Sequence, residues 1–503
     1  MSPEQTASPE QTEIVAAFES GQATGGGAPL KRIDTHMSHV FLDKARVYKL
    51  KKGLHHPFTD MSSLEQRRRA CEAELSVNRK LAPGVYEAVS AVTRDENGKI
   101  ALDGAGRTAD WVVVMQRFPD GALLSEIAAA GRLTAEQVGE LAHVIAGFHA
   151  SLEPRRETGH AADYHRIIQG LRRTEAEGAA AQDVEPASDA LFAALEHELS
   201  RRSSLIEARR KAGWVRHGHG DLHLNNICLF QGRVTPFDAL EFDPALATAD
   251  VLYDLAFLLM DLCARGWPRL ANLAMNRYWD EVPQPEQALA LLPLFMGLRA
   301  AVRMAVAVEA KDLAEAARYR RLGTDLLHRA GPRLLAVGGL SGTGKSTVAQ
   351  LVAADLPGPC GARLLRTDAI RKAMAGVGET DRLSLEAYRR GAREDIYRAL
   401  ADRARDALDA GSSVVADATF QGADMRQVIV EAAVGRAFVG IWLQAPPEVR
   451  VARIEARRND ASDATAAVAL AQTEPDDLGD GWRRVAADRP VGVIVDDLRS
   501  ALV

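Results

Sequence analysis

Residues 339–346 read GLSGTGKS, between an apolar run, RLLAVGG from Arg333, and a helix-like stretch, STVAQLVAADL from Ser346. That order leaves few architectures open. A strand turning through glycines into a helix is the first half of a βαβ unit, and such units stack into a parallel sheet. The spacing G-x-x-x-x-G-K-[S/T] also has a mechanical reading. Glycines let the backbone bend until successive N–H groups face one point, where the helix N-terminus adds positive potential, so the loop suits a phosphate. Gly339, Leu340, Ser341, Gly342, Thr343, Gly344 and Thr347 form this cradle, Lys345 reaches the outer phosphates, and Ser346 offers its hydroxyl to Mg²⁺.

Further short apolar runs follow, namely ARLLRTD, SSVVAD, FVGIWLQ and VGVIVDD, each expected as a strand and separated by helical patterns. Ligands gather at the carboxyl ends of such strands. Asp417 ends SSVVAD and is expected to serve Mg²⁺ from behind the groups that bind it directly. Asp368 ends ARLLRTD and begins D-x-x-R with Arg371. Near a terminal phosphate, Asp368 would orient or deprotonate an acceptor hydroxyl and Arg371 would neutralise phosphoryl charge; the plainer alternative is a helix-capping acid beside a surface arginine. Arg453 and Arg457 follow FVGIWLQAPPE and read either as a lid over the phosphates or as a solvated face.

A second constellation lies upstream, HGDLHLNNI over residues 219–227. Asp221 and Asn226 have the separation of a base and a metal-binding amide in a kinase catalytic loop, with Gly220 in place of arginine. ICLF, the turn QGR and VTPF read as a hairpin that delivers Asp238 as a second metal ligand. The rival reading is a zinc site, since His217, His219 and His223 form HxHxxxH, but it leaves the Asp–Asn spacing and Asp238 unexplained. Ahead of this, ARVYKLKK alternates like a strand and carries Lys49 as the lysine expected to grip the α/β-phosphates, with Lys51 on the same face as the fallback. The helix SSLEQRRRACEAELSVNRKLA carries Glu74 as partner for that lysine, with Glu72 as the fallback. ADWVVVMQRF completes the set as a strand entering a hinge at residues 116–120.

These motifs carry two resemblances. Residues 333–503 resemble P-loop kinases of small molecules and nucleic-acid ends, including the gluconate-kinase, polynucleotide-kinase and zeta-toxin groups, through GLSGTGKS, RTDAIRK and VVADATF. Residues 31–330 resemble aminoglycoside phosphotransferase-like kinases through HGDLHLNN, and NRKLAP and FDALEFDPALATADVLYDLAFLLMDL resemble a bacterial subgroup that fuses such a domain to a P-loop kinase. No glycine-rich G-x-G-x-x-G loop is present, and SHVF around Ser38 stands where one belongs. The resemblance implies an α/β and α+β protein: a bilobal protein-kinase-like domain followed by a P-loop kinase domain with a five-stranded parallel sheet. The expected organisation is a flexible tail over residues 1–29, an N-lobe over 30–117, a helical C-lobe over 118–331 and the P-loop domain over 332–503.

Composition narrows the function. The chain has 503 residues, 47% hydrophobic and 26% charged, as globular proteins do. Its net charge of −6 lacks the basic excess of a polyanion-wrapping protein, and four scattered cysteines suit free thiols in a reducing compartment. The apolar stretches are interrupted by charge and no export segment opens the chain, so a cytoplasmic protein is expected, without membrane. The expected activity is ATP- and Mg²⁺-dependent phosphoryl transfer by two modules to hydroxyl groups of small molecules such as sugars, aminoglycosides or nucleosides. Two alternatives stay open: a P-loop half that phosphorylates nucleic-acid ends, and one that only senses ATP for its neighbour.

Overall fold

The computed structural model describes residues 9–35, 37–56, 59–183, 185–240, 247–328, 330–377, 390–456 and 465–502. The chain divides into two compact units, one of Met1–His160 with Ile206–Leu258, the other of Ala161–Leu205 with Leu259–Val503.

The first unit is built on a six-stranded antiparallel sheet in the order Lys31–Asp34, Ser38–Leu42, Arg46–Lys51, Arg107–Gln116, Tyr86–Arg94, Ile100–Leu102. Alternation along these strands feeds two cores. Phe41, Tyr48, Leu50, Val112 and Val114 face helix Pro9–Glu19, which contributes Ile14 and Phe18, both without exposed surface. Residues 9–29, expected within a flexible tail, are thereby corrected: the apolar residues of EIVAAFES cover one sheet face. The other face, with Val47, Val113 and Met115, packs on helix Leu64–Leu81 through Cys71. That helix starts at a reciprocal Ser63–Gln66 cap, and its C-cap Ala82 precedes Pro83. The hairpin Ile227–Phe230 with Arg233–Pro236 forms as expected, turning through Gln231 and Gly232, both at positive φ (51° and 78°).

The second unit holds a five-stranded parallel sheet ordered Arg363–Arg366, Val414–Asp417, Arg333–Gly339, Ala437–Gln444, Trp482–Ala486. Four expected strands are present. The fifth is a correction: VGVIVDD lies in helix Val491–Leu502, whose Ile494, Val495 and Leu498 enter the core at helical spacing. The strand at that edge is instead WRRVA, largely exposed and charged.

The opposite edge strand is covered by helix Pro268–Glu281. Asn276 acts there like a neighbouring strand, its Oδ1 accepting the Leu364 N–H at 2.7 Å and its Nδ2 donating to Ala362 O at 3.1 Å. Asn272 Nδ2 donates to Cys360 O and Ala362 O at 2.8 and 2.9 Å. The enclosed Arg363 guanidinium reaches Asp280 at 2.9 Å, Glu286 at 3.2 Å and Asn276 at 3.0 Å. The stretch Glu286–Glu309 is long and apolar enough to cross a membrane, yet 78% of its apolar 18-residue window is buried inside the protein.

Candidate functional sites

The central strand Arg333–Gly339 runs into the glycine loop, and Gly344 (φ 91°) caps helix Lys345–Ala353 in the left-handed region. A Cβ at Gly342 would lie 2.4 Å from Arg450 O, so a side chain is excluded there. Thr343 Oγ1 and Lys345 Nζ donate to Leu340 O at 2.9 and 3.0 Å, holding the loop curled. Ser346 Oγ donates to Asp417 Oδ2 at 2.6 Å, across from the neighbouring strand. Burial raises the Asp417 carboxyl above its ordinary range, against the pull of nearby Lys345 and Ser346. Asp368 accepts from Arg371 Nη1 at 2.6 Å in the first turn of helix Thr367–Met374. Residues 341–347, Asp368, Arg371, Asp417 and Arg453 line one cavity of about 820 Å³. Gly339 and Leu340 lie just before it in the chain. Arg453 ties the loop at Thr343 O (3.1 Å) to Ala487 O (2.9 Å), and Arg457 lies outside the described residues. Sequence reasoning missed Tyr397, which lines the same cavity, meets Thr419 Oγ1 at 3.1 Å and accepts the Phe420 N–H at 3.0 Å. Its helix, Arg390–Asp409, carries no motif that would single it out.

In the first unit the lysine strand and helix Leu64–Leu81 meet at Glu74. Lys49 Nζ lies 2.8 Å from Glu74 Oε1 and also binds Asp238 Oδ1, while Lys51 Nζ lies 2.5 Å from Glu74 Oε2. Burial opposes ionisation of Glu74, yet the two ammonium groups hold its carboxyl below the usual range. The fallback Glu72 is at the surface, 3.7 Å from Arg68. Asn226 Nδ2 donates to Asp221 Oδ2 at 2.7 Å and to Asp221 O at 3.0 Å. The segment carrying Asp238 is tied to the same loop, since Phe237 N–H donates to Asn226 O (2.8 Å) and Phe237 O meets His219 Nε2 (2.9 Å). Asp238 itself sits at φ 61°, its N–H donating to the Tyr86 hydroxyl at 3.1 Å. Asp221, Asn226 and Asp238 are thus gathered by one loop and one hairpin.

The three histidines do not converge: His217 meets Thr248, His219 meets Phe237 O, and His223 packs edge-on against Phe257. Among the described residues no group of three His, Cys, Asp or Glu side chains is placed to hold a metal. Ser38 corrects another expectation, being fully enclosed in a strand opposite Lys51 rather than in a loop over a ligand. Asp254 was missed as well. Its carboxylate accepts the N–H groups of His219 (2.7 Å) and Gly220 (2.8 Å) and meets His149 Nε2 at 3.1 Å, so it fixes the backbone just before Asp221. The available signal was an acid inside the otherwise apolar VLYDLAFLLM.

A glycine loop on the central strand of a parallel sheet, with an acid on the adjacent strand, defines a P-loop domain; a lysine–glutamate pair beside an Asp–Asn loop gives the first unit a protein-kinase-like design. Comparison with known proteins agrees in part and reaches further along the chain. The AAA domain family matches residues 334–475. An uncharacterized protein of Mycobacterium tuberculosis (strain ATCC 25618 / H37Rv) is 32% identical over 461 residues, covering 87% of this chain and 88% of that protein. The chain belongs to the family of this mycobacterial protein. Similar solved structures include a gluconokinase from Sinorhizobium meliloti 1021 (23% identity, 35% of this chain and 93% of that one, TM-score 0.26). A choline kinase from Cryptosporidium parvum Iowa II is similar at 11% identity, over 63% of this chain and 94% of that one, with TM-score 0.40.

Proposed function

We propose that the chain is an ATP- and Mg²⁺-dependent phosphotransferase with two modules, each passing a phosphoryl group to a hydroxyl of a small molecule. The observation that carries this reading is the single cavity in which the glycine loop, Lys345, the Ser346–Asp417 pair and Asp368 face one another. The residues fit the nucleotide. The loop tolerates no side chain at Gly342, and Ser346 with Asp417 offers the hard oxygen donors that Mg²⁺ prefers. Bound MgATP supplies the transferable phosphoryl group and neutralises its oxygens. The chain's own residues do the rest. Lys345 and the loop N–H groups hold the phosphates, with Arg453 bracing the loop from behind. Asp368 takes the acceptor's proton, while Arg371 orients that carboxylate and offsets phosphoryl charge. In the first unit, Lys49 grips phosphate oxygens, Glu74 positions Lys49, Asp221 faces the acceptor hydroxyl, and Asn226 and Asp238 hold the metal.

The P-loop cavity is also lined by Arg366, Arg371 and Arg393. Sugar acids and sugar phosphates therefore join neutral sugars, aminoglycosides, nucleosides and nucleic-acid ends in the assay panel. The test follows label from γ-phosphate into product with the full chain, Asp221→Ala and Lys345→Ala. Each variant is expected to lose transfer to one class of acceptor by at least about a hundredfold, the usual scale for general-base and phosphate-binding groups. Unchanged ATP turnover in both variants would sink the reading.

A further inference from the structure

Two lysines meet one glutamate in the first unit, and they are not equivalent. Strand Arg46–Lys51 sets Lys49 and Lys51 on one face by its period of two, and both reach Glu74, at 2.8 and 2.5 Å. The Lys49 side chain keeps 11% of its surface and also touches Asp238. The side chains of Lys51 and Glu74 keep none. Lys51 therefore has no open path to a ligand.

The separation of Lys51 from Glu74 is fixed by a second network. The buried amide of Gln11 donates to Lys51 O at 2.8 Å and Asp110 Oδ2 at 3.0 Å, and accepts the Gly53 N–H at 3.0 Å. Asp110 in turn binds Arg67 Nε at 2.8 Å, on the helix that carries Glu74. Helix Pro9–Glu19 thus braces the end of the lysine strand and the glutamate helix against each other.

Lys49 and Lys51 balance Glu74 and Asp238, two charges of each sign. A bound nucleotide phosphate would take a share of the Lys49 charge and a metal would take Asp238, while Lys49 stays paired with Glu74. With one lysine only, Glu74 would then be a desolvated charge sharing its single counter-ion with the phosphate, which is unfavourable, and it would compete with the nucleotide for Lys49. We propose that Lys51 is a positioning residue, a fixed counter-ion that neutralises Glu74 so that Lys49, still placed by Glu74, has its charge to give to the nucleotide. The inference rests on the reading of this unit as a nucleotide site.

The test uses the full chain carrying Lys345→Ala, which silences the P-loop site, and measures binding of a non-hydrolysable ATP analogue with Mg²⁺. Lys51→Met is expected to weaken binding about tenfold, equivalent to about 1.4 kcal/mol. Lys51→Arg should restore it to within about twofold, because the charge returns. Glu74→Gln with Lys51→Met should bind as Glu74→Gln alone does, since a neutral amide needs no counter-ion. Thermal unfolding reports whether each variant folds, and the double variant removes both buried charges should Lys51→Met alone fail to fold. Unchanged binding in Lys51→Met beside lost binding in Lys49→Met overturns the inference alone. Additive losses in the double variant also overturn it, because Lys51 would then be touching the nucleotide itself. Unchanged binding in Lys49→Met removes both the inference and the reading beneath it.

Discussion

Glu74 is a carboxylate with no exposed surface, kept ionised by two lysines, and that has a pH signature. Its folded-state pKa lies below the unfolded value of about 4.3. The stabilisation from the ion cluster is therefore present above about pH 4.3 and drains away as pH falls toward the lower folded value. Melting temperatures taken between about pH 6 and pH 3 should fall more steeply below about 4.3 for the natural chain than for Glu74→Gln; parallel curves would show that Glu74 is not the titrating group. At this scale the sequence was informative wherever chemistry fixes a spacing. Lys49, Asp221, Asn226 and Asp238 follow from strand period and catalytic-loop separation. Asp254 follows from neither, because it serves two backbone N–H groups 34 and 35 residues earlier in the chain. Only the oddity of an acid in an apolar helix marked it.

Elements were legible where burial gives them a pattern. RLLAVGG and SSVVAD lie on inner strands and read as continuous apolar runs. WRRVA is an edge strand open to water, so its side chains carry no apolar pattern, whereas the apolar VGVIVDD satisfies helix and strand alike and folds as helix behind Pro490. The edge at Arg363–Arg366 is instead closed by side-chain amides, which no periodicity announces. Asn276→Ala leaves the Leu364 N–H without its acceptor, a loss of about 1–3 kcal/mol for a buried group. At about 2–4 °C per kcal/mol, the second unit should melt several degrees lower. Asn276→Asp, which still accepts that N–H, should melt between the two, and an unshifted Asn276→Ala would mean the edge has another partner.

For the whole molecule, the second unit is more than its P-loop sheet. It takes in residues 161–205 and 259–331, and the contacts of Arg363 with Asp280 and Glu286 and of Asn272 with the 360–362 backbone lie among them. A fragment of residues 332–503 would keep the glycine loop but leave the Arg363 guanidinium without its acids. Expressed beside a fragment of 259–503, it should be the less stable in denaturant and the faster to be cut by protease; equal midpoints would show that the sheet is self-sufficient. The glycine loop between strand and helix was legible from eight residues, but this dependence was not, since nothing local in RLLRTD reports a helix packed beside it.

The chain passes between its two units after His160, after Leu205 and after Leu258. A ribosome therefore delivers residues 161–205 well before the surface they belong to exists. During synthesis they must wait, apolar side exposed, while Ile206–Leu258 returns to complete the first unit. Assembly cannot proceed from one end to the other, and growing chains should depend on chaperones at that interval more than the finished protein does.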